Sequence, residues 1–220
     1  MQQRLQRHLS ERTQMLAAIT HDLQTPLTRL RLRLENVEQA ALRERLIEDL
    51  AAMQALIKEG LELARSAESA ERPVPLDLDS LLESLVADAS DGGADVRFSA
   101  GCALVLPLRP LAMRRVIGNL IDNAVSYAGH ADVSVQRLGK GLCVSVRDHG
   151  PGIPAQSLED VLQPFVRLET SRSRQTGGAG LGLAIARVLA EKEGALLQLH
   201  NHRDGGLEAR VVWEQLPGSM

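Results

Sequence analysis

Residues 119–124 read Asn119-Leu120-Ile121-Asp122-Asn123-Ala124, inside the run PLAMRRVIGNLIDNAVSYA from Pro110 to Ala128. Apolar residues recur there at steps of three and four, which predicts a helix over 110–128. Asn119 and Asn123, four apart, fall on one face of it. Paired amide oxygens on a helix face are either two surface amides or a seat for a hydrated Mg²⁺ shared with phosphates. Downstream, Asp148-His149-Gly150-Pro151-Gly152 follows an expected strand. A carboxylate there can accept a hydrogen bond from an exocyclic amine, and the glycines admit a close backbone approach. Gly178-Ala179-Gly180-Leu181-Gly182-Leu183 then opens a helix whose first N–H groups favour anionic phosphates. Each signal is weak alone; in this order and spacing they point to one nucleotide site. The chain contains no GxxxxGK[ST], and the last loop is not GxGxxG, so a P-loop and a dinucleotide-binding Rossmann site are both disfavoured.

Outward from these motifs the pattern is that of an α+β layer. LDLDSLLESLVADA predicts a short strand and a helix, and Asp91-Gly92-Gly93 a turn. VRFSA and ALVLP read as strands. DVSVQRL and LCVSVRD alternate with period two around Gly139-Lys140-Gly141, a hairpin signal. A helix from Gly180 to Gly194 and two last strands, LLQLHN and LEARVVWEQ, complete helices on one face of a mixed sheet.

The front of the chain is built differently. Residues 1–68 hold one proline, Pro26, and one glycine, Gly60. Leu16, Ile19, Leu23, Leu27, Leu30, Leu34 and Val37 form one helical seam, and Leu42, Leu46, Leu50, Met53, Ile57, Leu61 and Ala64 a second. A turn between Glu35 and Ala41 makes these an antiparallel helical hairpin. Two such seams are not fully buried by one copy, so two copies pairing into a four-helix bundle are expected. Polar, proline-containing SAESAERPVP reads as a linker. The expected organisation is 1–68 for the hairpin domain, 69–75 for the linker and 76–220 for the layered domain.

Within the first seam lies Thr20-His21-Asp22-Leu23-Gln24-Thr25-Pro26-Leu27. Thr25 shares a helical face with His21, and Asp22 offers a carboxylate that can take an imidazole proton. Pro26 deletes the backbone bond to the Asp22 carbonyl, at about 3 kcal/mol in an ordinary helix. Two consecutive steps of four, Ile19 to Leu23 to Leu27, break the heptad at the same place. A kink there suits a helix that must flex around a reactive side chain. Neutral imidazole nitrogen attacks a phosphoryl group without a strong base.

Composition narrows the classes further. The chain has 220 residues and a net charge of −3, with four aromatics: Phe98, Phe165, Tyr127 and Trp213. Residues 1–70 carry 10 basic and 10 acidic side chains, and the remainder 15 and 18, so neither part is a basic platform for nucleic acid. The scarcity of rings also argues against base stacking. Cys102 and Cys143 lack CxxC spacing and read as two buried small hydrophobes in a reducing compartment. No apolar run approaches the ~18 residues of a membrane span, and no secretory signal leads the chain. The chain opens abruptly in a helix-like stretch, as a fragment of a longer protein would.

Thr20–Leu27 resembles the phosphoacceptor box of sensor histidine kinases of two-component systems. Asn119–Ala124, Asp148–Gly152, Pro164-Phe165-Val166-Arg167 and Gly178–Leu183 look like that family's N box, first glycine box, phenylalanine box and second glycine box, in its order. The resemblance extends from about Gln14 to Glu214 and is nearest to the osmosensor-like members with a short lid. It implies an α/β-sandwich ATP-binding domain of the Bergerat (GHKL) type, shared with type II topoisomerases and heat-shock chaperone ATPases. It makes His21 the acceptor of the γ-phosphoryl group, Asp22 its assistant, and Thr25 the residue that positions water when the regulator is dephosphorylated. It assigns ATP to Asn119, Asn123, Tyr127, Asp148, Gly150, Gly152, Phe165, Arg172, Arg174, Gly178, Gly180, Leu181 and Gly182, with Mg²⁺ on Asn123 and Asn119. Hydrolysing members of the fold carry a glutamate where Asn119 stands, so a transferase is favoured over an ATPase. Ser126 replaces a frequent basic residue, which shifts phosphate neutralisation toward a lid holding Arg172 and Arg174; Ala179 replaces a frequent threonine.

The implied partners are a second copy of the chain and the receiver domain of a response regulator. Arg29, Arg31 and Arg33 read either as a charged, exposed helical strip or as an attraction for that regulator's acidic pocket. No nucleic acid is implied, and the membrane enters only through segments upstream, which place this part on the cytoplasmic side of the bacterial inner membrane. Two other classes compete: a protein that mostly dephosphorylates its regulator, and a scaffold that binds nucleotide without chemistry.

Overall fold

The computed structural model describes residues 26–66, 71–168 and 180–218. His21, Asp22, Thr25, Arg172, Arg174 and Gly178 lie outside the described residues. Helix α1 runs through 26–34, and the chain reverses over 35–39 into α2 (Ala40–Ser66), where the hairpin turn was expected. Asn36 sits at the reversal: its N–H donates to the Arg33 carbonyl at 3.2 Å and its side-chain amide to the Leu32 carbonyl at 3.3 Å. On the two seams Leu27 and Leu50 are buried, whereas Leu30, Leu42 and Met53 are exposed by 44%, 45% and 50%. A single copy therefore leaves part of both seams in water. Among the described residues no helix is long and apolar enough to cross a membrane.

The layered part begins with β1 (Val74–Asp77), two residues inside the stretch expected as linker. Val74 and Pro75 are strand residues because β3 (Val105–Leu108) pairs with them antiparallel, Val74 against Leu108 and Pro75 against Pro107. Between them come α3 (Leu78–Asp91), capped by the Asp77 carboxylate, which accepts from the Ser80 N–H at 3.1 Å, and β2 (Asp95–Ala100). Helix α4 (Pro110–Ala128) has the bounds read from the sequence, with Pro110 at its first position. The hairpin β4 (His130–Leu138) and β5 (Gly141–Arg147), helix α5 (Gly182–Lys192), β6 (Leu196–Asn201) and β7 (Leu207–Trp213) follow. The five-stranded sheet has the order β2-β4-β5-β7-β6; β2 runs parallel to β4 and every other neighbour is antiparallel.

Apolar faces of α3, α4 and α5 share one core with the sheet, and Leu82, Met113, Ile117, Ile185, Val144 and Val211 are inaccessible or nearly so. Burial of such side chains contributes roughly 1.5–3 kcal/mol each. Of the four rings only Trp213 is fully buried; Phe98 packs against the core, and Phe165 and Tyr127 are exposed. The core is thus aliphatic apart from Trp213, and the two exposed rings sit beside the motifs.

Two expectations need correcting. The alternation expected in β5 does not appear in its burial, since Cys143 and Ser145 are buried along with Leu142, Val144 and Val146. The middle strand carries small side chains on its second face, and the longer Gln136, Arg210 and Val212 beside them in register shield them from water. The two cysteines are both free, but only Cys143 is buried; Cys102 is half-buried. Burial pushes both thiols above their ordinary value, with the Asp79 carboxylate adding to the effect at Cys102. Both are the less nucleophilic for it.

Candidate functional site

Three loops and one helix carry the motifs, and the strand order sets where they meet. Strand β5 is central, so the residue that follows it emerges between β4 and β7. That residue is Asp148, only 5% exposed. Its N–H donates to the Leu207 carbonyl at 2.9 Å, extending the β5–β7 ladder by one residue. Its Oδ1 accepts from the Gly150 N–H at 2.8 Å and from the Leu207 N–H at 3.0 Å. Oδ2 accepts no hydrogen bond among the described residues. That oxygen is left to take a hydrogen bond from a ligand, and an exocyclic amine is such a donor.

The loop that starts at Asp148 is pinned at its far end. Asn201 Oδ1 accepts from the Ile153 N–H at 2.9 Å, and its Nδ2 donates to the Ile153 carbonyl at 2.6 Å. Gly152 lies at φ +73, and a Cβ there would stand 2.7 Å from Asn201 Oδ1. At its near end the loop touches α4: a Cβ on Gly150 would lie 3.1 Å from Ala128 Cβ and 3.6 Å from the Tyr127 carbonyl oxygen. The first glycine motif is therefore seated on the last turn of the asparagine helix.

The second glycine motif meets the same helix further up. A Cβ on Gly182 would lie 3.6 Å from Asn119 Oδ1, so the start of α5 and the first asparagine are direct neighbours. Asn119 and Asn123 are both half-buried on α4. Leu181 precedes α5 without a side-chain hydrogen bond to cap it, which leaves first-turn N–H groups for an anion. The Leu181 side chain is itself fully buried, so what it offers the site is backbone. The Phe165 N–H donates to the Gly180 carbonyl at 3.0 Å, tying together the residues on either side of 169–179. Phe165 itself stands at φ +66, left-handed for a non-glycine residue, with 64% of its surface exposed.

Asn119, Asp148, Gly150, Gly152, Phe165, Gly180 and Gly182 are thus linked through α4 into one region. Tyr127 joins it through its carbonyl and not its ring, which is 48% exposed. The donor set fits a nucleotide with its Mg²⁺: a carboxylate oxygen to spare, an uncapped helix start, and amide oxygens at Asn119 and Asn123. Two positioning residues were not singled out in the sequence: Asn201 and Gly206. Gly206 lies at φ +89, where a Cβ would collide with the Asp148 carbonyl oxygen. The signal for Gly206 was the Asp204-Gly205-Gly206 turn signature; Asn201, at the end of a strand, carried none.

Comparison with known proteins agrees with this geometry. Residues 109–217 match the model of the histidine kinase-, DNA gyrase B- and HSP90-like ATPase family, and residues 11–69 match the His Kinase A phospho-acceptor domain. The sensor histidine kinase GtrS of Pseudomonas aeruginosa is 40% identical over 212 residues, which cover 96% of this chain and 44% of that protein. The sensor protein RstB of Escherichia coli is 35% identical, over 93% of this chain and 49% of its own. The chain spans about half the length of the curated relatives it matches. Among solved structures, full-length ShkA in complex with AMPPNP shares the fold, with a TM-score of 0.69 at 22% identity over 94% of this chain and 47% of that one. Both family models and the relatives concur, and the chain belongs to the sensor histidine kinases, of which it carries the phosphoacceptor and ATP-binding regions.

Proposed function

We propose that the chain moves the γ-phosphoryl group of ATP to His21 and then to an aspartate on the receiver domain of a response regulator. The observation that carries this reading is the buried Asp148, with one oxygen committed to the loop and the other without a donor, seated beside the asparagine helix. Asp148 orients the base through its exocyclic amine. The start of α5 receives the phosphates. Asn123 and Asn119 would hold Mg²⁺, whose charge neutralises and aligns the phosphate oxygens.

Asn119 has no basic lone pair with which to activate water. The γ-phosphoryl group therefore waits for a nucleophile brought to it. An imidazole nitrogen of His21 forms the P–N bond as the bond to the β-phosphate oxygen breaks and ADP departs. Asp22 takes the imidazole proton. The phosphoramidate is a reactive donor, so the regulator's aspartate needs little further activation.

Residues 1–68 act as the dimerisation and phosphoacceptor domain, 69–75 as the linker on which the ATP-binding domain moves, and 76–220 as that domain. Two chains form the working unit, on the cytoplasmic side of a bacterial inner membrane once upstream segments are attached. Incubation with γ-labelled ATP is expected to give acid-labile, base-stable label on the wild-type chain. His21→Gln and Asn123→Ala should each abolish it. Equal labelling of His21→Gln overturns the assignment.

A further inference from the structure

Beside the nucleotide loop stand His130 and Asp132 of β4, together with His149 of the loop's own Asp148–Gly152 motif, and no role of the site described so far uses these three side chains. Extending the β4–β5 register by two residues beyond its last pair, Asp132 with Arg147, sets His130 opposite His149. Asp132, two residues along β4 from His130, points to the same face. The two imidazoles lie nearly parallel, 9° apart with centroids 4.5 Å from each other, and His130 Nε2 contacts His149 Nδ1. His149 Nε2 is 3.9 Å from Asp132 Oδ2. One ligand atom from each of the three side chains fits within 4.8 Å of the others.

The tautomers open to this cluster leave lone pairs that a cation can take. His130 Nδ1 lies 3.3 Å from the Ala128 carbonyl, which can only accept, so the Nδ1 proton belongs there. That leaves a lone pair on Nε2, facing His149. If neutral His149 donates from Nδ1 to it, the Nε2 of His149 turns a second lone pair toward the Asp132 carboxylate. That lone pair and Asp132 Oδ2, 3.9 Å apart and both reached by solvent, are then open to a metal ion.

We propose that His130, Asp132 and His149 bind a divalent transition-metal ion of the zinc type. Two imidazoles and one carboxylate are the ligand set of an open tetrahedral zinc site, with water in the fourth position. Tetrahedral bonds to nitrogen set the two ligand atoms about 3.3 Å apart, a spacing the histidine pair reaches by small side-chain rotations. The bond from His130 to the Ala128 carbonyl fixes the tautomer that leaves Nε2 free to ligate. Imidazole selects zinc, nickel or copper over magnesium, so the site is chemically separate from the Mg²⁺ that accompanies the nucleotide. It is also one residue from Asp148, because His149 is the next residue of the loop.

Isothermal titration of the chelator-stripped full chain with zinc chloride tests this directly. One ion per chain is expected at micromolar concentration, undiminished by millimolar Mg²⁺, with cobalt giving the visible absorption of a tetrahedral site. His149→Ala, His130→Ala and Asp132→Asn should each weaken binding at least tenfold, whereas His202→Ala leaves it unchanged. Emission from Trp213, buried in the core of the same domain, verifies that the variants are folded. Binding of one ion with equal strength by the His130→Ala/His149→Ala double variant, or no binding below millimolar zinc, overturns the proposal.

Discussion

Asp148 depends on a residue with no side chain. A Cβ on Gly206 would collide with the Asp148 carbonyl oxygen and stand 2.9 Å from His149 Cα, and both neighbours are backbone, which cannot rotate aside. Gly206 also lies at φ +89, where an L side chain is strained regardless of space. Gly206→Ala is therefore expected to cost roughly 3 kcal/mol, read from a urea unfolding midpoint. The loop displaced by the added methyl carries Asp148 with it, so the affinity for an ATP analogue should fall at least tenfold. A variant with unchanged nucleotide affinity would show that Asp148 does not need this seat. Asp148 was legible in the sequence because its glycines follow within four residues. Gly206 and Asn201 were not read as supports for it, because the contacts that give them a role are long-range. The Leu207 N–H reaches Asp148 across 59 residues and Asn201 holds Ile153 across 48, spans over which local spacing says nothing.

At the scale of elements, α4 and α5 are joined where neither motif lies. No side chain at Arg109 caps α4; the Glu71 carboxylate does so from the linker side, accepting from the Leu111 N–H at 2.8 Å and the Ala112 N–H at 3.1 Å. The Arg109 guanidinium donates to the Glu71 carbonyl at 2.8 Å, the Lys192 carbonyl at 3.2 Å and Glu193 Oε1 at 2.9 Å. The Glu193 side chain is 2% exposed, and the Glu193 carbonyl accepts from the Trp213 indole N–H at 2.9 Å. This cluster therefore ties the approach from the hairpin domain to both helices of the nucleotide site and to the last strand. Removing one partner of a buried pair leaves the other charge uncompensated, so Arg109→Ala should destabilise the fold by about 3 kcal/mol. Glu193→Ala should cost a similar amount. The double variant should cost clearly less than the sum, a shortfall that thermal or urea unfolding of the four proteins measures. Strict additivity would mean that the pair does not act as a unit. The elements themselves were readable, down to the bounds of α4, because period and punctuation are local. Their sheet order was not, since β2-β4-β5-β7-β6 is fixed by pairings between strands distant in sequence.

For the whole molecule the hairpin and the layered domain solve burial in different ways. The layered domain closes its own core over α3, α4, α5 and the sheet. The hairpin leaves Leu30, Leu42 and Met53 in water while Leu27 and Leu50 are buried on the same two seams. At roughly 25 cal/mol for each Å² of apolar surface removed from water, a second copy laid on those side chains supplies the drive for dimerisation. Replacing Leu42 and Met53 together with lysine sets like charges across that contact, where each copy would face the other. Sedimentation is then expected to show a monomer for this variant and a dimer for the parent chain. Trp213 emission should not change, because its ring is buried in the layered part and its indole N–H is held by the Glu193 carbonyl. Nucleotide binding should survive with it, since Asp148, Asn119 and the start of α5 all lie on that side of the linker. Label from ATP should reach the monomeric variant's His21 only if a domain can serve the histidine of its own chain. A dimer of full affinity in the double-lysine variant would remove the exposed seam as the source of association.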